Sequence, residues 1–348
     1  MFASNRLSVE RKAQADLRET IRQLKEREFT YVPREEKAID WHAYNEAQLN
    51  DLRFFLTQTR ELVNKAADLL PKKTRSAGRP AKEAADVAKA ILLMEYLKLS
   101  ERAASTWTWV FKEKLGITED LSPRTIGRGF ENPDVIYILE RLFEWTAKAF
   151  EDAEKHVAID ATGVSESIKQ NYESTKSADH EKAEGFLKLS LAIGTECHGI
   201  SAYALSRDRA DSPFFAPLLQ QTRALWRNVL DASADAGYLS RANCQTAADV
   251  NIMPYIFPKT GVTLNQKGYP AWKSMLLGLT IDTQAWLFGY HLRSNVETVN
   301  SCLTRRFGKL SCHKNECKEN EELTRLILHN LRQMNTAWFE GKITLKPF

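Results

Sequence analysis

Residues 156–164 read His-Val-Ala-Ile-Asp-Ala-Thr-Gly-Val, and here the periodicity of the chain changes. Upstream, apolar residues recur at the three- and four-residue spacing of amphipathic helices. From His156 a short apolar run carries Asp160, the pattern of a buried strand that delivers a carboxylate. Two more strand-like runs follow, 186–196 (Phe-Leu-Lys-Leu-Ser-Leu-Ala-Ile-Gly-Thr-Glu) and 199–206 (Gly-Ile-Ser-Ala-Tyr-Ala-Leu-Ser), with a turn near His198 and Gly199. A helix is predicted over 213–226. The next buried strand, 228–233 (Asn-Val-Leu-Asp-Ala-Ser), carries Asp231 and has Asp235 just beyond it. A helix from Ser240 leads to a last strand, 252–257 (Ile-Met-Pro-Tyr-Ile-Phe). The polar, Gly-bearing segment 259–270 reads as a loop. Residues 271–289 read as a helix that presses Trp272, Met275, Leu276, Leu279, Trp286 and Phe288 onto the core.

Working outward, the first half reads as helix throughout. Residues 8–28 mix charges with sparse apolar positions, the composition of a solvated, partner-binding arm. Residues 35–70 carry a fuller stripe (Ile39, Trp41, Leu49, Leu52, Phe55, Leu56, Leu62, Ala66, Leu69) that requires a packing partner. Segment 71–82 holds Lys72, Lys73, Arg75, Arg79 and Lys82 with no acid between them, punctuated by Gly and Pro, and reads as an extended basic linker. Its Gly78-Arg79-Pro80 core has the form of a minor-groove hook, with Arg79 as the groove-reading side chain. Helices follow over 83–99 and 101–115, stopped by Gly116. Ser122 then caps a short segment with Pro123 at its first position and Arg124 and Arg128 on its surface. Three short helices ending in a capped, Arg-bearing one suit a helix-turn-helix DNA reader, or a plain helical bundle. A further helix, 134–150, closes this half. The organisation expected is a helical arm (1–70), a linker (71–82), a helix-turn-helix-like region (83–152) and a mixed-sheet domain (153–340).

On the other side of the strands, residues 290–306 read Tyr-His-Leu-Arg-Ser-Asn-Val-Glu-Thr-Val-Asn-Ser-Cys-Leu-Thr-Arg-Arg. In a helix, Tyr290, Arg293 and Glu297 fall at i, i+3 and i+7, so one face carries phenol, guanidinium and carboxylate. This Tyr-x2-Arg-x3-Glu spacing, followed by Arg305 and Arg306, resembles the signature around the third acid of insertion-sequence DDE transposases. Asp160 and Asp235 stand where that family has its first two acids, and the resemblance runs over roughly 155–335. The order three strands, helix, strand, helix, strand, acid-bearing helix is that of a ribonuclease-H-like mixed α+β sheet flanked by helices, reached without the motif.

The resemblance implies a DNA transposase that cuts and joins phosphodiester bonds at the ends of an insertion sequence. Asp160, Asp235 and Glu297 would hold two Mg2+ (or Mn2+) ions about 4 Å apart, with Asp160 shared between them. Asp231 competes for the second position; Asp235 is preferred because Asp-Ala-Gly-Tyr matches the family's Asp-x-Gly-Tyr. Tyr290, Arg293, Arg305 and Arg306 would contact DNA, joined by Arg79, Arg124 and Arg128 from the first half. The family pattern has Lys at the position of Thr304, so its role passes here to Arg305. Partners implied are double-stranded DNA, as terminal inverted repeats and target, and a second copy of the chain. The alternatives are an inactive, DNA-binding regulator descended from a transposase, and a DDE nuclease without strand transfer.

Composition agrees with a globular DNA-handling protein: 348 residues, formal charge +4, and five cysteines, an odd number that suits a reducing cytoplasmic setting near the nucleoid. No apolar run is long enough to span a membrane. Cys312-His313-x3-Cys317 lacks a fourth zinc ligand at suitable spacing and reads as an exposed loop. A C-terminal amphipathic helix is predicted over 321–338.

Overall fold

The computed structural model describes residues 2–33, 35, 38–71, 81–166, 187–207 and 210–345, the first six of these by backbone alone. The basic linker from Lys72 through Pro80, with Arg79, lies outside the described residues.

The period change at His156 is the start of the sheet. Strands β1 (His156–Val164), β2 (Leu187–Gly194), β3 (Ile200–Ser206), β4 (Asp231–Ala234) and β5 (Met253–Ile256) stand in the order β3-β2-β1-β4-β5. β1, β2 and β3 form an antiparallel meander, and β4 and β5 run parallel to β1. β2 is buried along its whole length, so that Lys188 and Ser190, which alternate with Leu187, Leu189 and Leu191, are buried together with the apolar residues. The β2–β3 turn places His198 at φ 58°, and a Cβ on the adjacent Gly199 would stand 2.3 Å from the Phe150 ring. Only glycine fits there.

Before the sheet lie α1 (Phe2–Lys25), α2 (Trp41–Asp68), α3 (Ala84–Leu97), α4 (Glu101–Val110), α5 (Lys112–Leu115), α6 (Pro123–Gly129) and α7 (Pro133–Lys148). The remaining helices are α8 (Ser212–Leu225), α9 (Arg241–Asp249), α10 (Pro270–Ile281), α11 (Thr283–His291), α12 (Ser294–Phe307) and α13 (Asn315–Phe339). Helix α8 covers β2 and β3, α11 lies on β4 and β5, and α12 on β1. This is a ribonuclease-H-like α+β arrangement preceded by an all-helical region.

The expected caps form. Ser122 Oγ accepts from Thr125 N at 3.2 Å with Pro123 at the first helical position, and Gly116 ends α5 at φ 61°. Helices α3, α4 and α6 pack on one another, with Arg124 and Arg128 exposed on α6.

Four expectations change. The segment 8–28 is not a free arm: Leu17 and Ile21 are buried, α1 packs on α10, and Gln14 bonds Val262 O at 3.1 Å and Leu264 N at 2.7 Å. Apolar residues at 13, 17, 21 and 24 make a narrow stripe that suffices for one neighbour. The α2 stripe divides: Phe54, Phe55, Leu62, Val63 and Ala66 are buried on a helix that packs against α13 and α7, while Ile39, Trp41 and Leu49 stay exposed. The helix predicted over 271–289 is two helices, because Asp282 leaves helical geometry (φ −140°, ψ 83°) and caps α11 by accepting from Ala285 N at 2.8 Å. Likewise Cys317 is not in an exposed loop but buried in the first turn of α13.

Candidate active site

Strand register decides which aspartates meet. In the parallel β1/β4 pair His156 lies opposite Asp231 and Ile159 opposite Ala234. The next residue on each strand is Asp160 and Asp235, so these two carboxylates leave neighbouring strands side by side at the C-terminal end of β4. Asp231 begins the same strand, four residues back, roughly 13 Å away at 3.3 Å per residue. It sits half-exposed, with His156 Nδ1 at 3.9 Å from its carboxylate.

Glu297 comes from α12. The stretch 290–306 is not one helix, since α11 ends at His291 and α12 begins at Ser294. Leu292 and Arg293 stay in the right-handed helical region, and the step is bridged by tight i→i+3 bonds, Arg293 N to Tyr290 O (3.0 Å) and Val296 N to Arg293 O (3.1 Å). Side-chain order is preserved across the break. Glycine at 289 permits it: a Cβ there would stand 2.6 Å from the Tyr255 ring, so α11 can lie directly on β5.

Arg293 joins the acids. Its Nη1 donates to Asp160 Oδ2 at 3.1 Å and its Nη2 pairs with Glu297 Oε1 at 2.8 Å. Asp160 Oδ1 accepts from Ala161 N at 2.8 Å. Burial pushes the Asp160 carboxyl above the usual carboxylate range, and repulsion from Asp235 and Glu297 adds to it, against the Ala161 N–H and the Arg293 charge. Asp160 therefore feels both other carboxylates, and it shares one guanidinium with Glu297. Tyr290 stacks on Trp286 (centroids 5.5 Å apart, 18°) and tilts against Phe257 at 5.3 Å. Burial raises its phenol, and its hydroxyl meets Arg293. Beneath the site lies Tyr238, a residue the sequence did not single out for function; burial and the neighbouring Asp160 hold its phenol protonated.

The other expected contacts disperse. Arg305 is exposed. Arg306 turns inward, with its guanidinium 5.3 Å from the Tyr96 ring centroid and 5.5 Å from that of Phe307. Successive helix positions point about 100° apart, so the two guanidiniums take different surroundings, one in solvent and one against the rings.

Among the described residues no three carboxylate, imidazole or thiol groups stand close enough to share one ion. The donor set nevertheless suits hard divalent cations: it is oxygen only, carboxylate only, and two of its members already share a cation, the Arg293 guanidinium.

A mixed sheet of this order, with acids leaving two adjacent parallel strands and a third on the helix laid across them, defines the class of DDE enzymes. Residues 151–331, more than half of the chain, match the family model described as "Transposase DDE domain", and the chain belongs to that family. It is a DDE transposase of the insertion-sequence kind, a nuclease and strand transferase in general type. No curated protein and no solved structure gives a significant match. Among the described residues no helix is long and apolar enough to cross a membrane.

Proposed function

We propose that the protein cuts and joins DNA at the ends of an insertion sequence, with Asp160, Asp235 and Glu297 as the acids that hold two divalent ions. The observation that carries this reading is that Asp160 and Glu297 share the Arg293 guanidinium while the β1/β4 register brings Asp235 beside Asp160. Divalent ions bound there supply an activated oxygen nucleophile and charge stabilisation for the phosphorane-like transition state. Asp160, partly desolvated and anchored by Ala161 N, faces both other acids and would hold an ion with either of them. Arg293 keeps Asp160 and Glu297 oriented toward one point and, once displaced from between them, offers its fork to a phosphate of the scissile strand. The ring packing of Tyr290 on Trp286 fixes the place from which Arg293 acts. Terminal inverted repeats and target DNA are the substrates, taken by a dimer of the chain, with Arg124 and Arg128 on α6 and Arg79 of the 71–82 segment as DNA contacts outside the site.

The test is Mn2+- or Mg2+-dependent cleavage of DNA by the wild type beside Glu297→Gln, which keeps the side chain's size and removes its charge. Cleavage lost with DNA binding kept supports the enzyme. A wild type that binds DNA and cuts none under any divalent ion refutes it in favour of a binding regulator. Cutting without joining selects a nuclease.

A further inference from the structure

A cleft of about 540 Å3 opens between α2, the end of α3, the C-terminal half of α12 and α13. Its wall carries Lys98, Arg305, Arg306 and Arg332 and, among the described residues, no carboxylate. Arg332 is aimed by Gln48, whose Oε1 accepts from its Nη2 at 3.0 Å. Arg306 is held between the Tyr96 and Phe307 rings, and its Nη1 is buried without a hydrogen-bond partner. Asp51, whose charge reaches Arg306, does not line the cleft and accepts from Tyr96 Oη at 2.6 Å. His329 on the same wall adds no charge at neutral pH, because burial pushes it down to about 4 while its ring bonds His198 O at 2.9 Å.

Four cations with no anion, one of them holding an unused buried donor, make a site that lacks its ligand. We propose that this cleft binds a phosphate group, and that the group is a backbone phosphodiester of the bound DNA at a point away from the scissile bond. The inference rests on the DNA-processing reading given above. Arg305 and Arg306 follow Glu297 by eight and nine residues on one helix, about 12–14 Å along its axis, and at about 100° per residue Arg306 stands on the side of α12 opposite Glu297, so the cleft meets a stretch of the DNA other than the scissile bond. The Tyr44 hydroxyl and the Gln333 amide on the same wall supply further donors. Sequence pattern alone does not show the site, since Lys98 and Arg332 are joined only by the docking of α3 and α13.

The experiment compares wild type, Arg332→Gln and Lys98→Gln, both at the cleft mouth rather than in the core, with Arg306→Gln added if it folds. Duplex binding is followed by fluorescence anisotropy across a salt series, and inorganic phosphate binding by calorimetry. If a DNA phosphate occupies the cleft, each variant weakens duplex binding several-fold at low salt, and the slope of log affinity against log salt shrinks by about 0.9. Unchanged duplex affinity and slope, with phosphate binding lost in the variants, assigns the cleft to a free phosphate ligand and overturns the DNA source. No change in either titration overturns the site altogether. A wild type that binds no DNA refutes the transposition reading, and the phosphate arm then still decides whether the cleft takes the anion.

Discussion

Replacing Arg293 by Gln removes the one cation that stands between Asp160 and Glu297. The Arg293–Asp160 contact is 3.1 Å, and both side chains are a little under a quarter exposed. Two unit charges at that distance interact by about 5 kcal/mol at an effective dielectric of 20. Solvent at the mouth of the site and the flexibility of two polar side chains reduce this to roughly 1–2 kcal/mol. The sign follows from Asp160, whose carboxyl already lies above its ordinary range through burial and two neighbouring acids. Without Arg293 it rises further, so the folded variant holds a proton that the unfolded chain has released. Below the ordinary aspartate range, about pH 3.9, both states are protonated and the substitution costs nothing through charge. Above it the penalty grows with pH and levels once the folded carboxyl has ionised. Thermal unfolding between pH 3.5 and 8 should show equal midpoints at the acid end and a variant midpoint lower by about 2–4 °C at the alkaline end. Mn2+ should stabilise the variant more than the wild type, because no guanidinium competes for the carboxylates. A loss of equal size at every pH, or a variant indifferent to Mn2+, would show that Arg293 acts by packing and that the acids do not form a cation site.

Three further outcomes follow from particular contacts. Asp235→Asn should lower metal-dependent cleavage at least a hundredfold in a gel assay while Asp231→Asn, at the far end of β4, leaves it within about threefold; the reverse ranking would reassign the second acid. Gly289→Ala places a Cβ 2.6 Å from the Tyr255 ring and should cost about 1–3 kcal/mol in denaturant unfolding, with cleavage reduced because α11 carries Tyr290 toward Arg293. An unaltered unfolding midpoint would mean that α11 does not rest on β5 as described. Glu322, which burial pushes up to about 7, keeps its proton when folded and loses it when unfolded, so native stability falls as pH rises from about 4.5 to about 7. Glu322→Gln should therefore match the wild type below pH 4.5 and exceed it by up to roughly 3 kcal/mol above pH 7.

What the sequence discloses of this protein is what depends on short-range pattern. An apolar run interrupted by Asp160, and another with an acid just past its end, are sufficient to indicate two strands delivering carboxylates, because a parallel pair with the observed register puts the residues after Ile159 and Ala234 side by side. The Tyr-x2-Arg-x3-Glu spacing survives the break between α11 and α12 because Leu292 and Arg293 keep helical dihedral angles while only the bond pattern tightens. What the sequence hides is decided by distant partners. The mixed charge of residues 8–28 looks solvated until the loop at Val262 and Leu264 supplies backbone groups for Gln14. Arg305 and Arg306 look equivalent until Tyr96 and Phe307 take one of them inward. The same docking that withdraws Arg306 from the surface leaves its Nη1 unpaired beside Arg332. An unsatisfied buried guanidinium nitrogen costs the folded chain on the order of 1–3 kcal/mol, and with neither a carboxylate nor a carbonyl supplied to it, an incoming oxyanion is the partner that removes the penalty.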